Sequence, residues 1–384
     1  MNVDTIADFL ADQRDETPDE LQYLIIQFEN YWERKLWHQL TDSLIEFFAN
    51  PKSEPQRLQF YKVFILKFAD KINQLKLVDL GLQAATQCRD DQERLSFLAD
   101  LAKKVDNENS QDAFVYATVA VARVELNLAD LDASRRDLDR AEKILDAFDS
   151  VETKVHAAFY QVNADYYKAR ADFASYYRNA LRYLACIDLA ALSADERARR
   201  AYDLGIAALV SDSIYNFGEL LQHPILAALT TTGAGDAAWL RDLLFAFNRG
   251  DLAAYDVLSG HVASNALLAA HADEIRQKIY LAALTESVFR RPPHARAMSF
   301  ATISADTKVR PDEIEHLVMK ALSLGLVRGT IDEVDGLVNF TWVQPRVLDM
   351  AQIASMGQRL GEWGENVNKL GNWIEATGQD IWAP

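Results

Sequence analysis

Apolar positions recur at helical spacing along most of this 384-residue chain. Leu21, Leu24, Ile25 and Phe28, followed by Leu36, Leu40, Leu44 and Phe47, predict helix between 21 and 48, and Asn50-Pro51 with Pro55 predicts a turn. Leu58, Tyr61, Phe64, Phe68, Ile72 and Leu75 make another amphipathic face. The first twenty residues are polar and acidic, a loose helix with a break near Pro18, and Asn107–Gln111 is a later polar break. From about residue 113, Asp130-Leu131, Asp172-Phe173, Asn216-Phe217 and Asp251-Leu252 each set a short polar residue before a large apolar one, at spacings of 42, 44 and 35. Such a period marks stacked helix–turn–helix units, none able to bury its apolar face alone.

The pattern changes after His271. A long helix from His271 to Arg291 points Ile275, Ile279, Leu281, Leu284 and Val288 inward and stops at Pro292-Pro293. Met298–Ser304 reads as a short strand, and Ser304–Lys308 starts a small helix. Pro311 suits a first helical turn, and Ile314, Leu317, Val318, Ala321 and Leu322 carry that helix to a stop at Gly325. Two strand-like runs follow, Leu326 to Ile331 and Leu337 to Val343, joined by the hairpin signal Asp335-Gly336. Helix, strand, helix, helix and hairpin is the order of a winged helix.

Beyond Pro345, Ile353, Met356, Leu360, Trp363, Val367, Leu370 and Ile374 are spaced alternately by three and four residues, a heptad seam. Gly357, Gly361, Gly364 and Gly371 interrupt it, each costing a lone helix about 1 kcal/mol relative to Ala. The expectation is therefore a helix that needs a partner over its seam.

Charge decides what the winged helix meets. Asp312, Glu313 and Glu315 occupy the end of the helix that reaches base edges in helix-turn-helix proteins. Duplex binding depends on Lys and Arg at phosphates, so these acids and a net charge of −17 point to a protein partner rather than nucleic acid or an anionic membrane. The tyrosine-rich stretch Val155–Leu184 has too few interleaved cations for a base-stacking platform. Met1–Leu10 lacks the basic start and apolar run of a secretory leader, and no stretch approaches a membrane span, so an intracellular protein is expected. Cys88 and Cys186 read as buried free thiols.

No catalytic constellation emerges. The seven histidines stand in neither HExxH nor the His-x-His of a metal-dependent deubiquitinase, so neither metal nor cofactor is expected. Glu315 and His316 are neighbours on a helix and do not face each other, and His38 suits a structural hydrogen bond. Cys88 meets Asp90 and Asp91, and Cys186 lies in an apolar run, which suits neither as a nucleophile. Gly233-Ala234-Gly235 follows a helical pattern rather than a strand, so it is not a dinucleotide fingerprint. Arg290, Arg291 and Arg296 form the one basic loop, suited to a helix C-terminus or to an acidic neighbour.

The run from Glu313 to Ile353 resembles the end of a PCI domain, the scaffold module of the proteasome lid, the COP9 signalosome and a translation initiation factor. KLWHQL (Lys35–Leu40), YNFGELLQHPIL (Tyr215–Leu226) and FAFNRGDL (Phe245–Leu252) extend the likeness over nearly the whole chain. The resemblance implies a mainly α protein: a right-handed, TPR-like helical-repeat solenoid, then a winged-helix PCI module with a small β-sheet, then a C-terminal helix. Expected boundaries are 1–174 for the arm, 175–344 for the PCI domain (winged helix from about 271) and 345–384 for the bundling tail. It further implies a non-catalytic lid subunit. Its partners would be other PCI subunits, the metalloprotease-fold subunits through a helical bundle, and a ubiquitin receptor near the arm. Gly329, Thr330, Ile331, Val338, Phe340 and Trp342 are the expected PCI–PCI contacts, and the seven seam residues the bundle contacts.

Overall fold

The computed structural model describes residues 4–107, 109–148, 152–231, 237–292, 295–345 and 350–382. The chain divides into two units, 1–192 and 193–384.

The first unit is helical: α1 (Asp4–Glu16), α2 (Asp19–Glu33), α3 (Trp37–Ala49), α4 (Arg57–Val63), α5 (Gln74–Ala85), α6 (Asp91–Val105), α7 (Gln111–Asn127), α8 (Leu131–Asp146), α9 (Thr153–Ala169) and α10 (Phe173–Cys186). Its core begins with rings from α2, α3 and α4, where Phe28 meets Phe47 and Phe60 edge-on at 5.8 and 6.3 Å. The face predicted from Leu58 to Leu75 is buried in large part but is not one helix. After Val63 the chain winds through two short 3-10 turns, Ile65–Lys67 and Ala69–Lys71, until Asn73 caps α5.

In the second unit, α11 (Ala194–Val210), α12 (Gly218–Gln222), α13 (Ala228–Thr231), α14 (Ala238–Arg249), α15 (Leu252–Ser264) and α16 (Ala266–Ala270) precede α17 (Ala272–Arg290). Then come β1 (Ala297–Ser299), α18 (Phe300–Thr307), α19 (Pro311–Ser323), β2 (Val327–Asp332), β3 (Leu337–Val343) and α20 (Met350–Trp382). The winged-helix order is present. The strand expected over Met298–Ser304 is shorter, because the Ser299 hydroxyl accepts from the Thr302 N–H at 3.2 Å and starts α18 at Phe300.

Three of the four repeat dipeptides share one device. Ala129, Ala171 and Gly250 take φ of 62°, 57° and 63°, and the next N–H donates five residues back, Asp130 to Glu125 O, Asp172 to Tyr167 O and Asp251 to Ala246 O. Each Asp then caps the following helix through the N–H of Ala133, Ser175, or Ala253 and Ala254. Asn216 departs from this: its carboxamide accepts from the Gly218 N–H at the start of a short helix, with no left-handed residue before it.

Candidate interaction surfaces

The winged-helix core is sealed by Ile303, Ile314, Val318, Ala321, Val338 and Phe340, and α17 supplies Leu281, Leu284 and Val288. The sheet is antiparallel in the order β1-β3-β2, so among the described strands the second edge of β2 has no partner. Loops are pinned by backbone bonds: Phe340 N–H donates to Arg296 O at 3.1 Å, and Phe300 N–H to Gly336 O at 2.8 Å.

Register explains where the expected contact residues sit. Thr330 faces Asn339 and Ile331 faces Val338, but Gly329 faces Phe340 while Arg328 faces Trp342, so Thr341 is an extra residue on β3. Strict alternation would put Trp342 inward with Val338 and Phe340; this bulge turns it to the outer face. There the Arg328 guanidinium lies 4.8 Å over its ring. The Thr341 hydroxyl donates to Arg328 O at 3.2 Å across the bulge. Of the six residues expected at a PCI–PCI contact, Thr330 is exposed, and Trp342, on the same outer face by its pairing with Arg328, is half-buried. Val338 and Phe340 are buried, and Gly329 and Ile331 are half-buried on the core side, because the pleat sends paired positions to one face. Gly329 is required there, since a Cβ would stand 2.3 Å from the Asn339 carbonyl oxygen. Arg328 and Asn339, which the sequence reading left out, complete the outer face with those two.

On α19, Asp312 and Glu313 are exposed and Glu315 half-buried, with Glu313 paired to Arg310. The acids therefore face outward from the core, where phosphates would be repelled. The basic loop is mostly engaged within the chain: Arg290 pairs with Glu286 at 2.9 Å and Arg291 with Asp306 at 3.2 Å. His294 and Gly233-Ala234-Gly235 lie outside the described residues.

The tail is one helix from Met350 to Trp382 despite its glycines. Ile353, Met356, Leu360, Trp363, Val367, Leu370 and Ile374 share a face and are 46–67% exposed, as is Trp373 at 63%. This is the largest set of exposed apolar side chains among the described residues, and the size of an interaction site.

A buried lysine escaped the sequence reading. Lys278 on α17 donates to the carbonyls of Ala208, Leu209 and Ser211 at 2.7, 3.3 and 2.7 Å, so it caps the C-terminus of α11 from nearly seventy residues away in the chain. Tyr215 and Phe217 turn their rings to the ammonium at 5.3 and 5.2 Å. Burial pushes its pKa down to about 7, opposed by nearby Asp212. A lone Lys in an amphipathic helix gives no signal of burial. A cleft of about 320 Å³ opens beside it, edged by Asp212, Tyr215, Glu274, Lys320 and Leu324.

Cys88 is buried and Cys186 half-buried, both free, and burial raises the pKa of each thiol. Desolvation disfavours the thiolate a nucleophile needs, outweighing Lys62 and Arg94 near Cys88. Among the described residues no His, Cys, Asp and Glu side chains cluster as metal ligands, and no helix is long and apolar enough to cross a membrane.

Comparison with known proteins follows these elements closely. The family profile described as PSD13 N-terminal repeats matches residues 24–244, the PCI domain profile 252–342, and the Rpn9 C-terminal helix profile 346–378. The chain is 45% identical to the rpn9 26S proteasome regulatory subunit of Schizosaccharomyces pombe, over 98% of this chain and 97% of that one. It is 41% identical to the RPN9 26S proteasome regulatory subunit of Saccharomyces cerevisiae (99% and 98% covered), and 34% to 26S proteasome non-ATPase regulatory subunit 13 of Dictyostelium discoideum (94% and 95%).

Proposed function

The chain belongs to the family of 26S proteasome regulatory subunits that includes Rpn9 and non-ATPase regulatory subunit 13, and on that premise we propose that it is a non-catalytic structural subunit of the regulatory-particle lid. Its task is assembly of the lid, and through it ubiquitin-dependent protein degradation. The observation that carries this is likeness along the full length, through repeats, PCI domain and tail alike. A signalosome or initiation-factor subunit is not favoured, since these full-length relatives carry the proteasome name.

The contacts follow from which groups are left uncovered. The open edge of β2, with Thr330 and Trp342 on the outer face, is the contact to a neighbouring PCI subunit, where a β-ribbon offers unpaired backbone groups. The seam from Ile353 to Ile374 enters a helical bundle with the metalloprotease-fold lid subunits. The arm lies near a ubiquitin-receptor subunit. The place of action is the cytoplasm and nucleus, and nucleic acid and membrane are not partners.

A tagged chain expressed in cells should co-purify with the other lid subunits and with 20S peptidase activity. Recovery with signalosome or initiation-factor subunits instead would contradict the proposal, as would turnover of any substrate by the purified chain alone.

A further inference from the structure

Lys278 has a second place to go. Its hydrogen bonds all run to neutral carbonyls at the end of α11, and among the described residues no carboxylate touches it. A buried ammonium held that way keeps a desolvation cost that a counter-ion would offset. Two carboxylates stand close by and are not used. Glu274 lies four residues earlier on α17, the favoured order for a Glu–Lys pair on one helix face, and Asp212 follows the end of α11. Both are exposed on the cleft of about 320 Å³, and neither is ion-paired among the described residues. The other titratable groups lining the cleft are Tyr215 and Lys320; α14, α15, α16 and α18 bring none to it. Lys320 alone opposes a further cation there.

We infer that Lys278 is a two-position switch: inward it caps α11, and outward it crosses the cleft to pair with Glu274 and Asp212, leaving the end of α11 uncapped. The proton selects the position. Inward, burial holds the pKa at about 7, whereas an ammonium among carboxylates in an open cleft keeps at least the ordinary value of about 10.4. Between those values the outward form binds more protons. The outward share therefore grows as pH falls through that interval and levels off below it. The effect passes to the segment after α11. Outward movement takes the cation from the rings of Tyr215 and Phe217. Tyr215 also packs on the winged-helix core, and the Asn216 carboxamide donates to Pro345 O at 3.4 Å, so loosening reaches the end of the winged helix. The Ser211 hydroxyl, buried and without a hydrogen-bond partner, is a donor ready for a vacated carbonyl.

The test is amide hydrogen exchange of the full-length chain, read on peptides spanning 209–218 and corrected for the intrinsic pH dependence of exchange. Protection there should fall roughly 30-fold from pH 8.5 to pH 6, as the two pKa values require. Lys278→Met should hold constant within about twofold over the same range. At pH 6, Glu274→Lys should raise protection about threefold or more over the parent, because it sets a like charge where the outward ammonium would sit. Protection in the parent that does not change with pH overturns the inference. A fall that persists in Lys278→Met also overturns it, since another group would then be titrating. So does Glu274→Lys with protection at or below the parent's at pH 6, because the cleft would not then be where the ammonium goes.

Discussion

On α19, Ile314, Leu317, Val318 and Ala321 recur at helical spacing and are 0–8% exposed, covered by α17, α18 and the sheet. On α20, seven larger residues recur just as regularly and stay 46–67% exposed. Both stretches satisfy the rule for an amphipathic helix. The difference lies in what the neighbouring chain supplies. After α19 the hairpin folds back and brings Val338 and Phe340 onto its apolar face, whereas the described residues place nothing over the seam of α20. Substitutions should therefore report on opposite properties in the two regions: folding in the winged helix, assembly in the tail.

The largest contrast is expected from Leu360→Asp with Trp363→Asp. Charges at the centre of an exposed seam should leave the melting temperature of the purified chain unchanged and weaken recovery with the lid by about 100-fold, as loss of a central apolar anchor does. A melting temperature lowered by several degrees would show that the seam is already covered within the chain. Next is Phe340→Ala, which empties a fully enclosed site and should destabilise the chain by about 3–5 kcal/mol in urea unfolding. An unchanged midpoint would place Phe340 outside the core. A smaller effect sharpens the comparison from the folding side. Lys278 loses its proton near pH 7 in the folded chain, whereas an unfolded lysine holds it to about 10.4. Between those values the unfolded state binds more protons, so this residue makes stability rise with pH. Lys278→Met should lack that rise, read as a parent-minus-variant urea midpoint that grows from pH 7 to pH 9.5. A constant difference would mean that Lys278 titrates alike in both states.

The order of the winged helix and its inward faces were legible because long helices with Ile275, Ile279, Leu284 and Val288 carry an unambiguous period. The hairpin was legible too, from Asp335-Gly336, but its loop is the four residues Glu333 to Gly336 rather than two, and only Gly336 takes a positive φ, 60°. The bulge at Thr341 was not legible: one added residue reverses alternation without changing composition, and it decides that Trp342 faces out while Phe340 faces in. Lys278 was hidden for a related reason, since its carbonyl partners on α11 come together with it only by tertiary packing. The short 3-10 turns between Val63 and Gln74 have no period long enough to read.

The most direct test removes residues 346–384 and measures two things on one preparation: thermal unfolding of the purified chain, and its incorporation into the lid beside full-length competitor. A tail that serves only assembly leaves unfolding unchanged and abolishes incorporation. Incorporation equal to that of the full chain would contradict the account.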